Sequence, residues 1–144
     1  MKEISVMLVF SFLISCSAEN KIGKQEKTIF DIEFQEGFID DTVCMYFADQ
    51  ELFKNVVMKS SRILGFTGHH LVILQHRKSM SFEHNKSIRI IDIKAAAIIE
   101  FTFTINKTRQ KIKIDTSKGK YIGFNKGESD TLITFQRIEP FMHD

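Results

Sequence analysis

Tryptophan is absent from this 144-residue chain, and proline occurs once, at Pro140. Stacked sugar platforms use amphipathic aromatic rings. With only Tyr46 and Tyr121 to offer one, a glycan-binding face has little to build on. Scarce proline leaves the backbone free to donate along sheet ladders. Two cysteines, Cys16 and Cys44, exclude a disulfide-dense scaffold. A formal net charge of +2 is too small to give general affinity for nucleic acid. No apolar run approaches the roughly 20 residues a spanning helix needs. Also missing are a Gly-x-Ser-x-Gly elbow, a phosphate-binding glycine loop and a His-Glu-x-x-His helix. The expectation is a protein that is not an enzyme, with no catalytic residue and no cofactor.

What the chain does have begins at its N-terminus. Lys2 supplies a small positive charge, and Ile4 to Ile14 is an almost unbroken apolar run. That run suits the hydrophobic region of an export signal. Leu13, Ile14, Ser15 and Cys16 follow one another as aliphatic, variable, small and cysteine. The segment resembles a bacterial lipoprotein signal peptide with its lipobox. The resemblance implies cleavage before Cys16, which then carries a thioether-linked diacylglycerol and further acylation on its amino group. Residues 1–15 are then the signal, and 16–27 are a lipidated cysteine with a polar tether. Ser17, a non-acidic residue after the cysteine, implies outer-membrane sorting. The side of that membrane stays open. Two or more acyl chains hold a protein firmly at a bilayer, because each buried CH₂ contributes about 0.8 kcal/mol. With Cys16 lipidated, Cys44 has no partner and reads as a small buried hydrophobe.

From residue 28 to 144 the pattern is that of strands. Phe30, Ile32 and Phe34 alternate with Asp31, Glu33 and Gln35, the period of a half-buried strand. Val43, Met45 and Phe47 repeat it, and Leu52 to Val57 reads as the returning arm of a hairpin. His69 to Arg77 is apolar on both faces, as in a central strand. Lys78 to Asn85 reads as a loop and Ser87 to Ile93 as a strand. Lys94 to Glu100 is ambiguous between helix and strand. Ile98 to Ile105, Gln110 to Asp115, Tyr121 to Phe124 and Thr131 to Arg137 complete the set. Eight or nine short strands predict an all-β fold, an antiparallel sandwich or small barrel. The Gly37-Phe38, Asp41-Thr42-Val43 and Gly65-Phe66 punctuation is similar to that of small exported β-sandwich proteins of unassigned function. That likeness assigns no residue a role.

Three side-chain groupings invite a function. His69, His70, His76 and His84 lack chelating spacing, so no metal site is expected. Asp40, Asp41, Asn125, Glu128 and Asp130 could offer oxygens to calcium, but turn chemistry explains them as well. Lys107, Arg109, Lys111 and Lys113 alternate, which places four cations on one strand face about 7 Å apart. That ladder could meet an anionic partner, although a solvated edge whose lysines prevent aggregation is the favoured reading. Two readings of the whole follow. One is a lipid-anchored envelope protein that binds another protein, as an accessory subunit, inhibitor or immunity-type protein. The other is a small-ligand or glycan-binding envelope lipoprotein. A filled sandwich favours the first and a deep aromatic-lined cavity the second.

Overall fold

The computed structural model describes residues 27–94 and 96–143. The apolar N-terminal run, the lipobox with Cys16 and the tether up to residue 26 lie outside the described residues. Ten strands form, and the described residues contain no α-helix. They are β1 (Lys27–Phe34), β2 (Asp41–Phe47), β3 (Gln50–Met58), β4 (His70–Gln75) and β5 (Met80–His84). β6 (Ser87–Ile91), β7 (Ile98–Ile105), β8 (Thr108–Asp115), β9 (Tyr121–Lys126) and β10 (Leu132–Arg137) follow.

The strands build a sandwich of two sheets, one ordered β10-β9-β1-β4-β5-β6 and the other β3-β2-β7-β8. Neighbours pair antiparallel except β1 and β9, which run parallel from Asp31 opposite Tyr121 to Phe34 opposite Phe124. The expected loop over Lys78 to Asn85 is instead a turn followed by β5. Met80, Phe82 and His84 face the core there, while Ser81 and Glu83 face away. In the ambiguous Lys94 to Glu100 segment the described residues form no helix, and β7 begins at Ile98.

The core is phenylalanine and branched aliphatics. Phe34 sits at its centre, with the rings of Phe38, Phe53, Phe103 and Phe124 around it at 5.7–6.3 Å. Edge-to-face rings at this spacing add to the burial of each ring, which alone contributes about 1.5–3 kcal/mol. Two glutamines close one side of the sandwich. Gln110 on β8 donates to the Asp130 carbonyl (2.9 Å) and accepts from the Leu132 amide (2.9 Å). Gln136 on β10 donates to the carbonyls of Asp115 and Gly119, both at 2.7 Å. These bonds tie the edge strand of one sheet to that of the other. On the opposite side β6 ends the larger sheet, with no neighbour beyond it among the described residues.

Candidate interaction surface

The basic ladder lies on β8, an edge strand. Arg109, Lys111 and Lys113 are exposed along it, whereas Lys107 sits in the two-residue turn before it. The ladder is not a free stripe of charge. Glu100 on β7 lies opposite Lys113 and reaches both lysines, 2.8 Å from Lys111 Nζ and 3.8 Å from Lys113 Nζ. The Lys111 hydrogen bond holds the Glu100 carboxyl below the usual carboxylate range.

The acidic turns do converge, around a cation the chain supplies itself. Gly37, with φ +87°, lets its loop press against the Lys126 backbone, where a Cβ would meet the carbonyl oxygen at 2.0 Å. This brings Asp41 to the end of β9. Lys126 Nζ then lies 3.1 Å from Asp130 and 3.5 Å from Asp41, with its side chain only 15% exposed. Asn106 donates to the same two carboxylates, at 2.8 Å and 3.1 Å. Burial lowers the lysine pKa, and the pull of Asp130 and Asp41 outweighs it, so the ammonium is held more firmly protonated. Asn106 and Lys126 in turn lower Asp130. The place a calcium ion would take is filled by an ammonium.

The histidines are spread over different partners. His70 pairs with Asp31, His143 with Glu33 (2.7 Å), and His76 with the Ser81 hydroxyl (3.1 Å). His84 is 7% exposed, stacked 4.4 Å from Phe53 and 5.5 Å from His69. Its Nε2 has no hydrogen-bond partner among the described residues. Desolvation, then the neighbouring His69 and His70, lower its pKa. Among the described residues no three ligating side chains converge as a metal site. Cys44 is buried and does more than fill space. The Asn55 amide donates to its sulfur (3.3 Å) and its thiol donates to Asn55 Oδ1 (3.5 Å), across a bulge where Asn55 has φ 52°. The hydroxyls of Ser60 and Ser61 serve their own loop, taking the amides of Phe38 (3.0 Å) and Leu64 (3.1 Å).

No family model, curated protein or solved structure matches this chain. The surfaces themselves therefore carry the functional reading.

Hollows among the described residues are open grooves. The groove between the loops at 36–39 and 59–68 has a volume of about 940 Å³ and is open to solvent. Phe38 and Phe66 line it together with Glu36, Lys59, Arg62 and the hydroxyl side chains of Ser60, Ser61 and Thr67. The C-terminal tail occupies part of the larger sheet's outer face. Phe141 lies against Gly123, where a Cβ would meet its ring at 2.9 Å, and Arg137 stacks on that ring.

The remaining outer face, over β4 to β6, carries aliphatic side chains around Glu83 and a buried Ser81. Register places Val72, Glu83 and Ile88 in one row and Leu74, Ser81 and Ile90 in the next. Cross-strand partners share a face, so the four aliphatic side chains form one patch. Ile88 is 60% exposed and Ile90 66%. β6 has no proline, no lysine and no bulge, and its edge is guarded only by its five-residue length and by the exposed Arg89 opposite Phe82. Sequence reading found the strand but not its consequence. The signal was an Ile-Arg-Ile run, which alternation alone assigns to a buried face.

Proposed function

We propose that this protein is a cell-envelope interaction protein, held at a membrane through lipidated Cys16, whose domain binds a protein partner along β6. One observation carries the reading. Among the described residues β6 is an unpaired sheet edge, continuous with the aliphatic side chains of Val72, Leu74, Ile88 and Ile90 on the outer face. An extended segment of a partner adds to such an edge through main-chain hydrogen bonds, and apolar side chains on the shared face supply specificity. The lipobox supplies the address. Grooves this open to solvent fit a small-ligand or glycan site less well than an enclosed, aromatic-lined cavity would.

Cross-linking and capture of the intact lipoprotein from its own envelope tests this. The paired variant Ile88→Glu with Ile90→Glu should lose the captured partner while keeping the wild-type unfolding midpoint, because both side chains are already solvated. Cys16→Ala should lose acyl labelling and membrane retention. Equal capture by wild type and the β6 variant rejects the edge as the binding site, and equal labelling of Cys16→Ala rejects the anchor.

A further inference from the structure

The two ends of the sandwich differ in charge, and the chain enters the domain at the charged one. Lys27 opens β1 opposite Gln75, and the same end holds the turns after β2 and β4, the β6–β7 link and the β8–β9 link. The Thr116 amide bonds the Ala97 carbonyl there (2.9 Å), and the Lys120 carbonyl receives the Asp31 amide (2.8 Å). These segments expose Lys27, Arg77, Lys78, Lys94, Lys118 and Lys120 against Asp49, Asp92 and Glu139, with Asp115 partly exposed near Lys118. None of the six cations forms an ion pair among the described residues. Lys120 lies over the Tyr121 ring, and Ile93 and Ile98 are exposed at the same end. The tail that leaves from this end brings Glu139 beside Arg137 in sequence, and its tip turns back onto the larger sheet. At the far end the loops hold Lys59, Arg62, Lys86 and Lys107 against Glu36, Asp40, Glu128 and Asp130, which balance.

We infer that the cationic end is a docking surface for a membrane bearing anionic headgroups, and that it sets the orientation of the domain on the bilayer. The inference rests on anchoring through Cys16. Eleven residue steps separate Cys16 from Lys27, a reach of at most about 40 Å. Turning the domain over would lift Lys27 by the length of the sandwich, about 26 Å for the eight residues of β1 alone. That takes up about two thirds of the full reach, so the near end meets the surface at smaller conformational cost. Near an anionic surface each lysine or arginine gains about 1 kcal/mol, falling off within a screening length. Six unpaired cations on one end give the domain a preferred face. Orientation in turn leaves β6 and its apolar patch on the side of the domain, open to a partner moving along the same membrane.

Lysine acetylation footprinting of the intact chain, bound to vesicles through its own N-terminus, tests the inference. The vesicles are phosphatidylcholine, with or without about one third phosphatidylglycerol. On the anionic vesicles Lys78, Lys94, Lys118 and Lys120 should be modified about threefold or more slowly, while Lys59, Lys86 and Lys107 keep their rates. In about 1 M salt, where the screening length falls to about 3 Å, the difference should vanish. Equal rates at both ends, or the same slowing on neutral vesicles, overturns the inference and leaves the anchor standing. A chain that washes off both kinds of vesicle overturns the anchor and the orientation with it.

Discussion

Lys126 shows how one side chain replaces a ligand. Asp41, Asn106 and Asp130 come from β2, the β7–β8 turn and the loop before β10, and each is a turn-type residue in its own segment. Brought together without a cation, the two carboxylates would repel. The ammonium of Lys126 satisfies both while Asn106 takes up remaining lone pairs. Replacing Lys126 by Met should therefore destabilise the domain by about 2 kcal/mol, below the roughly 3–5 seen when a fully buried pair is broken, because this cluster lies at the rim. Urea unfolding reads the change. Adding Asp41→Asn to Lys126→Met should recover part of the loss, since it removes the carboxylate left unpaired. If the double variant is as unstable as the sum of the two singles, the cluster is not coupled.

At the scale of the element, β8 and β6 are opposite solutions to the same exposure. β8 carries Arg109, Lys111 and Lys113 at the edge of its sheet, and Gln110 and Gln136 tie that side to β10. Lysines on an edge discourage pairing with other chains. Lys111→Gln with Lys113→Gln should leave the unfolding midpoint near wild type and increase self-association in sedimentation velocity; an unchanged monomer would show that the glutamine ties alone protect this edge. β1, β7 and β8 were legible in the sequence because their alternation is strict and one face is core. β5 was hidden by its five-residue length and by His84, a polar residue at an inward position. The parallel pairing of β1 with β9 joins segments about 90 residues apart, and no local pattern encodes it. The same holds for Asp41, Asn106 and Asp130, whose meeting depends on three separate turns. Cys44 was legible as buried, but its bonds to Asn55 depend on a bulge that alternation does not reveal.

For the whole molecule, two histidines with opposite shifts shape stability against pH. His70 is raised from the ordinary value of 6.5, chiefly by its hydrogen bond to Asp31. The folded state therefore holds that proton more tightly than the unfolded chain does. Its contribution is fully present below about 6.5 and is lost as pH rises through the raised folded value. His84 is lowered from 6.5 by desolvation against Phe53 and by its histidine neighbours. Its contribution is present above 6.5 and is lost as pH falls through the lowered folded value, because the unfolded chain then takes up a proton that the core resists. The two windows lie on either side of 6.5, so the unfolding free energy should reach its maximum close to that pH. His84→Phe keeps a stacked ring beside Phe53 and removes the buried Nε2 that lacks a partner among the described residues. The variant should lose the decline as pH falls below 6.5 and keep the decline above 6.5, whereas His70→Gln should do the reverse. Urea unfolding of the three proteins on either side of that pH separates the two groups. An unaltered acid limb in His84→Phe would place the proton uptake elsewhere in the fold.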